Sequence, residues 1–217
     1  MTLAPSGLFP SPQPRWQVPV VGEEVTQIPA GDLTGPWKLF LLGDGSPTRH
    51  LQLLTGAPVE VELVGMVPEP RIDPMAPVEV AELDPPLLRR QVWLRCGGQP
   101  LGWAESWWNQ AEAEAHLRDR GQPIWRSLTA GRAELFREVD GLALVEASWL
   151  GQGFASRGPF WSRHYRFFRR GRAITVIREV FAPALERWLG PALETESQLA
   201  NPAPAESKPP THSPPHR

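Results

Sequence analysis

The stretch 158–190 alternates apolar and polar residues on both sides of a short turn at Arg170-Gly171. Because glycine readily takes the positive φ that a two-residue turn needs, the pattern predicts a β-hairpin in which Arg169 pairs with Arg172. Alternation then gives one apolar face, which we assign to the core, and one mixed face, which meets either solvent or a ligand. The apolar face carries Tyr165, Phe167, Ile174 and Val176. The mixed face carries Ser162, His164, Arg166, Phe168, Thr175, Ile177 and Glu179.

Other segments also have the pattern of strands. Residues 58–63 alternate between apolar residues and glutamate, as a half-buried strand does. Residues 91–96 and 101–107 predict a second hairpin around Gly97-Gly98. Residues 134–139 are interpreted as a further strand. Several strands joined by short turns predict an antiparallel sheet.

The helices are predicted from leucine spacing, capping residues and composition. Leucines on either side of residues 43–48 suit helical faces, and Ser46 is suited to be the N-cap before Pro47. The Ala- and Glu-rich segment 109–120 predicts a helix, and 142–149 is interpreted as another. The prolines and acids of residues 67–86 favour a long connection or lid. Strands with a few helices indicate the α+β class.

Chain length and hydrophobic content indicate how many domains the chain can form. A chain of 217 residues with 41% hydrophobic content can bury one core, so we expect a single domain over residues 33–192. Residues 1–32 are rich in proline and lack periodicity, which indicates an N-terminal arm on the surface, although Trp16 and residues 18–21 can dock there. Residues 193–217 are predicted to be a disordered proline-rich tail, because they offer too little apolar surface to offset their ordering entropy.

The charge and cysteine content indicate the compartment and the partners. A net charge of −2 gives no general reason to expect a nucleic acid or an acidic membrane as partner. The single cysteine, Cys96, excludes an internal disulfide framework and fits a reducing compartment. No apolar run approaches about 20 residues, and no signal-peptide pattern opens the chain. We therefore expect a cytoplasmic monomer without integral membrane association.

The spacing of the histidines and of other reactive residues excludes several kinds of functional site. His50, His116 and His164 form no metal-ligand pair, so no metal site is expected, and no phosphate-binding loop or nucleophile elbow is present. The remaining candidates are arginines and glutamates on strands. Arg95 is either an arginine on a solvated sheet face or a buried guanidinium that grips a carboxylate through two parallel bonds. Glu179 is either one half of a surface ion pair or a group in a ligand site.

Four segments in succession resemble the chorismate lyase family, and the similarity is greatest to its cyanobacterial and plastid-type branch. The first is residues 44–56, DGSPTRHLQLLTG, followed by VEVELVG. The next three are QVWLR at 91–95, PIWRSL at 123–128, and FWSRHYR at 160–166 with 174–184. The resemblance covers about residues 37–190. It implies an antiparallel sheet with helices around an enclosed ligand site.

Site residues follow from the resemblance position by position. The family's arginine for the ring carboxylate falls on Arg95, and its glutamate at the opposite end of the ring falls on Glu179. Backbone contacts fall on Ile124 and Pro47. Proline has no N–H, so a contact through that donor is missing at Pro47.

The activity implied by the resemblance is the conversion of chorismate to 4-hydroxybenzoate and pyruvate, which feeds quinone biosynthesis of the plastoquinone type. Aromatisation drives this elimination, so no cofactor is expected. The enzyme needs only to orient the dianion, stabilise the departing enolate and accept or relay one proton. Glu179 is then a general base or only a hydrogen-bond acceptor. Arg163 or Arg166, from their charge alone, are candidates for the pyruvyl carboxylate.

Two other classes of function remain open at this stage. The same fold serves as the small-molecule sensor of some bacterial regulators, so the chain is alternatively a non-catalytic binding module for an aromatic acid. No helix-turn-helix precedes the domain, which argues against a regulator. Interleaved arginines and aromatics at 163–172 also resemble a single-strand nucleic-acid surface, but the whole-chain charge argues against nucleic acid as a partner.

Overall fold

A single antiparallel sheet of seven strands organises the described part of the chain. The structure is a computed structural model that describes residues 7–20, 33–117 and 136–194. In these ranges the strands follow the spatial order β1-β5-β6-β7-β4-β3-β2, and every neighbouring pair is antiparallel. The strands are β1 (Gln13–Pro19), β2 (Val59–Pro68), β3 (Leu87–Cys96), β4 (Gln99–Asn109), β5 (Phe136–Glu146), β6 (Phe160–Arg169) and β7 (Arg172–Phe181). The predicted α+β fold is confirmed.

Five α-helices and two 3-10 turns accompany the sheet in the described ranges. They are α1 (Gly35–Leu42), α2 (Pro47–Thr55), α3 (Gln110–His116), α4 (Ser148–Phe154), α5 (Glu186–Leu189) and the 3-10 turns Val78–Glu82 and Pro183–Leu185. As predicted, α2 begins with Pro47 directly after Ser46. Asn109 caps α3, since its side-chain oxygen accepts a hydrogen bond from the Glu112 backbone N–H at 3.2 Å. The helix was predicted to run to residue 120, but α3 ends at His116 with Leu117 as its C-cap, and residues 118–120 lie outside the described residues.

Both predicted hairpins are present, but the register of one differs from the expectation. Arg169 pairs with Arg172 across a turn in which Arg170 and Gly171 both have positive φ, at 51° and 76°. A β-bulge between Phe167 and Phe168 then shifts the pairing by one residue. Glu179 therefore lies opposite Arg163 and on the face of Tyr165, so the predicted grouping of Glu179 with His164 and Arg166 is wrong.

Two further sequence interpretations differ from the structure. The strand predicted at 134–139 is present from Phe136, and residues 134–135 lie outside the described residues; the helix predicted at 142–149 is wrong up to Glu146, where β5 ends, and the helix α4 begins only at Ser148. The connection 67–86 contains the 3-10 turn Val78–Glu82, which packs on the sheet. Residues 142–145 alternate between the two cores, with Leu142 and Leu144 packed in one and Ala143 and Val145 in the other, and this period of two is that of a strand.

Residues 7–20 belong to the fold and not to a surface arm. The strand β1 extends the sheet by pairing with β5, and its prolines at 14 and 19 are tolerated because β1 is an edge strand. Leu8 and Phe9 are buried, and the Phe9 ring stacks on Trp149 at 4.4 Å between centroids. Low periodicity in a proline-rich segment therefore did not exclude docking.

The two faces of the sheet carry separate cores. We call the face under α1, α2 and α3 the cavity face, and it carries Val92, Ala104, Phe181 and other apolar side chains. The opposite face lies under α4 and the 3-10 turn Val78–Glu82, and it is built around tryptophans and valines. Its members include Trp93, Trp103, Trp107, Val176 and Val180.

A buried carboxylate ties three strands together on the opposite face. Glu105 on β4 is 0% exposed and lies between Arg89 on β3 and Arg178 on β7. Arg89 donates to Glu105 Oε2 from Nη2 at 2.6 Å, and Arg178 donates to Oε1 from Nε at 2.7 Å. This network faces away from the cavity and has a structural role.

Candidate active site

The cavity face of the sheet forms one side of a small cavity, and the start of α2 forms another. The empty space, counted with its opening to solvent, is about 410 Å³. The part of this space that compares with known ligand cavities is only about 40 Å³, so a ring-sized ligand also has to occupy the opening of the cavity or push lining side chains apart. Its polar lining includes Ser46, Thr48, Arg90, Arg137, Tyr165 and Glu179.

Glu179 is held in this cavity by its two neighbours on β6. Its side chain is buried, with Oε2 accepting from Arg163 Nε at 2.9 Å and Oε1 accepting from the Tyr165 hydroxyl at 2.8 Å. Burial, and then the negative charge of Glu179, raise the pKa of Tyr165, so the phenol keeps its proton and donates. Each carboxylate oxygen has more than one lone pair, so Glu179 can still accept a hydrogen bond from a ligand.

Arg163 is used to position the loop before α2. Its Nη1 donates to the carbonyl oxygens of Phe40, Leu41 and Gly43, each at 3.1 Å, and its Nη2 donates to Gly45 at 3.3 Å. The last carbonyls of a helix have no partner within the helix, so a cation at the end of α1 satisfies them. With Nε on Glu179, Arg163 is fully engaged inside the protein.

Arg90 is the arginine that β3 presents to the cavity. It shares its strand face with Val92 and Leu94, it lines the cavity, and it is 2% exposed. Burial lowers the pKa of Arg90 to about 10, so the guanidinium still carries its charge at neutral pH.

The strand register sets the separation of Arg90 and Glu179. Glu179 pairs with Ala104, Ala104 pairs with Val92, and Arg90 is two residues from Val92. Two strand spacings and two residue rises place the two Cα atoms about 12 Å apart. Both side chains extend from the same face of the sheet, so both line the same cavity.

The surroundings of the cavity are electrostatically positive. His50 on α2 has a lowered pKa, first because of burial and then because of the positive charges of Arg163 and Arg137. Arg137 on β5 also lines the cavity. An anionic ligand is the kind that this potential favours.

The structure separates Arg95 from the other predicted site residues. Arg95 lies on the face of β3 opposite Arg90, with its side chain 32% exposed, and it donates to Glu62 and to the carbonyl oxygen of Gly98 at 3.1 Å. It does not line the cavity among the described residues, so the arginine on the cavity side is Arg90 and not Arg95.

The remaining predicted residues are placed differently. Glu179 and Pro47 both line the cavity, whereas Ile124 lies outside the described residues. Arg166, a candidate for the pyruvyl carboxylate, lies on the opposite face and is bound to Asp140 and Glu82.

Among the lining residues that the sequence did not predict, Arg90, Arg137 and Tyr165 matter most for the chemistry of the site. Alternation was the signal that could have found Arg90, because Arg90 has the same parity as Val92 and Leu94 while Arg95 does not. Arg137 lies within the strand predicted at 134–139, but no motif or pattern there marks it as a site residue. Tyr165 was assigned to the core, and its hydroxyl partner depends on the bulge.

The fold and the cavity together define a class of α+β proteins in which an antiparallel sheet and its helices enclose a polar site, the chorismate lyase-like fold. The solved structure of PhnF from Mycobacterium smegmatis shares this fold with a TM-score of 0.51 at 15% identity. The match covers 66% of this chain and 66% of PhnF, and it covers 92% of the effector domain of PhnF solved alone.

The family is shown by its model. The model described as "Chorismate pyruvate-lyase Rv2949c-like" matches residues 41–189, and the chain belongs to this family. Similar proteins are the uncharacterized ycf21 proteins of Cyanophora paradoxa and Porphyra purpurea. The first is 30% identical and matches 69% of this chain and 78% of its own length, and the second is 32% identical over 70% and 83%. These relatives agree with the plastid-type branch indicated by the sequence.

No helix in the described ranges is both long enough and apolar enough to span a membrane.

Proposed function

We propose that this protein is a chorismate pyruvate-lyase that converts chorismate to 4-hydroxybenzoate and pyruvate. Quinone biosynthesis consumes the 4-hydroxybenzoate. One observation carries the proposal: a buried guanidinium, Arg90, and a buried carboxylate, Glu179, face one cavity from the same side of the sheet. In a member of this family, that arrangement suits a ring with a carboxylate at one end and a hydroxyl at the other.

Arg90 takes the role that the family resemblance had given to Arg95. A guanidinium binds a planar carboxylate through two parallel hydrogen bonds, and burial strengthens such a pair because water cannot compete. Arg90 binds the ring carboxylate and Glu179 faces the ring hydroxyl. Pro47 lines the cavity, and the family resemblance assigns Ile124 a main-chain contact with the ligand.

The reaction needs one proton acceptor near the hydroxyl. The hydrogen on the carbon that bears the hydroxyl leaves as a proton, the ether carbon–oxygen bond breaks with its electrons going to the enolpyruvate, and the ring becomes aromatic. The enolpyruvate then takes up one proton at its terminal carbon and becomes pyruvate, so the atoms balance without an oxidant. Glu179 is the one carboxylate among the described lining residues, and we assign the proton to it.

The direct test is turnover by the purified full chain in chelator-treated buffer. Absorbance follows 4-hydroxybenzoate, and a coupled lactate dehydrogenase reaction follows pyruvate. We expect equal amounts of both products. Formation of neither product, or activity that a chelator abolishes and a divalent metal restores, would contradict the proposal.

The second candidate function is a non-catalytic module that binds an aromatic acid. The fold shared with the effector domain of PhnF favours this candidate, although at 15% identity it shows the fold alone. The same experiment separates the two. Calorimetric binding of chorismate with no product after prolonged incubation would favour the binding module.

A further inference from the structure

Arg137 is a second arginine that lines the cavity, in addition to Arg90. It lies on β5 opposite Phe167 of β6, on the cavity face of the sheet. Its guanidinium carbon stacks 4.6 Å from the Tyr165 ring centroid and 4.7 Å from that of Phe167. Since the Tyr165 hydroxyl donates to Glu179, one tyrosine ring links Arg137 to the reactive end of the site.

The hydrogen bonds of Arg137 leave one edge of its guanidinium unused. Nη1 donates to the backbone carbonyls of Asp44 and Gly45, both at 2.6 Å. Nε is buried and has no hydrogen-bond partner among the residues the structure describes. Buried donors are nearly always satisfied, so a buried N–H at the wall of a cavity indicates a partner supplied by a ligand.

Four other arginines show what this edge normally holds in the protein. In Arg89, Arg163, Arg166 and Arg178, Nε donates to a carboxylate of Glu105, Glu179, Asp140 and Glu105, respectively. The side-on edge formed by Nε and Nη2 is the fork that matches the two oxygens of a carboxylate. Arg137 has no carboxylate partner in the described ranges, and its edge lies at the cavity.

We propose that Arg137 binds the second carboxylate of a dicarboxylate ligand through its Nε edge, while Arg90 binds the first. This inference rests on the proposed function, in which the second carboxylate is that of the enolpyruvyl group. Arg137 then makes the site selective for a compact dianion over a monoanion. It also favours release of 4-hydroxybenzoate, because that product has lost the group that Arg137 holds.

The test measures binding of two unreactive probes to the full-length protein. The dianion is 3-(1-carboxyvinyloxy)benzoate, which has an aromatic ring carboxylate and an enolpyruvyl ether, and the monoanion is benzoate. We expect Arg137→Gln to weaken the dianion about 10- to 150-fold, the range for a lost hydrogen bond to a charged group. Benzoate affinity should change less than about threefold, because its one carboxylate binds at Arg90.

Two further variants keep the test decisive. Arg137→Lys retains a charge and a donor for the loop carbonyls, so it protects the fold, yet it cannot form the two-bond fork and should recover only part of the affinity. Arg95→Gln is the matched control, because Arg95 lies on the other face, and it should leave both affinities unchanged. Equal losses for both probes would show a structural role and overturn the inference, as would an unchanged dianion-to-monoanion ratio.

These outcomes are separable from failure of the proposed function. If the wild type converts chorismate but the Arg137 variants keep the ratio, only the inference fails. If the wild type binds the dianion through Arg137 but forms no 4-hydroxybenzoate, only the proposed function fails. Failure of the wild type to bind either probe would overturn both.

Discussion

Arg90 and Arg95 lie on the same strand but meet different surroundings, because successive residues of a strand point to opposite faces. Arg90 faces the cavity and is 2% exposed, whereas Arg95 is paired with Glu62 at the other surface. Burying a guanidinium costs free energy unless the charge is paired with an anion or hydrogen-bonded. An arginine buried at the wall of a ligand site is therefore more informative about function than a half-exposed one.

The first prediction is that Arg90→Lys weakens the affinity for 4-hydroxybenzoate by about 2–5 kcal/mol, which is a factor of about thirty to several thousand. Lysine keeps the charge but cannot make two parallel bonds to one carboxylate. Isothermal calorimetry measures the loss. Arg95→Lys is the control, and it should change affinity less than about twofold and stability by a few tenths of a kcal/mol. Loss in the control with none in Arg90→Lys would restore the assignment to Arg95.

The second prediction concerns Glu179. Glu179→Gln keeps the size and the hydrogen-bonding oxygen of the side chain but removes the base, so we expect turnover to fall about 10²- to 10⁴-fold. Affinity for 4-hydroxybenzoate should change by less than about tenfold, because Arg90 still holds the ring carboxylate. Steady-state kinetics together with product titration separate the two quantities.

Arg163 complicates that experiment, and Tyr165→Phe supplies the control. Arg163 loses its carboxylate partner in Glu179→Gln, so a melting curve must show that the loop before α2 is intact. Tyr165→Phe removes one hydrogen bond to Glu179 and leaves the base in place. If Glu179→Gln lowers turnover no more than Tyr165→Phe does, Glu179 is only a hydrogen-bond acceptor.

At the residue scale, the sequence predicted Glu179 and Pro47 as lining residues and missed Arg90. The family motif Trp-Leu-Arg ends at Arg95, whereas strand alternation favours Arg90, which shares the face of Val92 and Leu94. Alternation on β3 already placed Arg95 with Trp93 and away from Val92 and Leu94. The alternation of side chains along the strand therefore identified the cavity arginine better than the match to the three-residue motif did.

At the element scale, the β6–β7 hairpin shows which features a sequence can and cannot fix. The turn at Arg170-Gly171 was predicted because its residues have a specific φ requirement. The bulge at Phe167–Phe168 was not predicted, because a bulge depends on how the sheet twists over its cores and leaves no local signature here. Its consequence is large, since a one-residue slip moves Glu179 from one face of the sheet to the other.

The third prediction belongs to the network that joins β3, β4 and β7. Glu105→Gln removes the negative charge between Arg89 and Arg178 while keeping the shape of the side chain. Two buried cations without their shared anion should lower the free energy of unfolding by about 3–5 kcal/mol. Urea unfolding followed by tryptophan fluorescence measures the change.

The exposed pair on β2 and β3 is the control for this network. Glu62→Gln breaks the ion pair with Arg95, in which both side chains are partly exposed, and it should cost about 0–1 kcal/mol. Equal, small effects of the two substitutions would show that the Glu105 network contributes no more than a surface pair.

At the scale of the whole molecule, the sequence correctly indicated a single α+β domain, although with a core on each face of the sheet, and it placed the start of the fold too late along the chain. Residues 7–20 lack the periodicity that predicts an element, and their contribution comes from a few side chains and from an edge strand. Gln91, buried on β3, accepts from the Phe9 backbone N–H and donates to the Phe9 carbonyl, both at 2.8 Å. Hydrogen bonds between residues so far apart in sequence depend on the folded sheet and cannot be predicted from local sequence patterns.

The last prediction tests that N-terminal contact. Phe9→Ala removes a buried ring that stacks on Trp149, and such truncations cost about 3–5 kcal/mol. Deletion of residues 1–12 should cost more, because it also leaves both ends of the buried Gln91 amide without Phe9. The control is Leu53→Ala on the exposed side of α2, with an expected change within about 0.5 kcal/mol. Phe9 lies on the face opposite the cavity, so turnover of the folded Phe9→Ala protein at low temperature should match the wild type. An unfolding midpoint like that of the wild type after the deletion would show that residues 1–12 do not stabilise the domain.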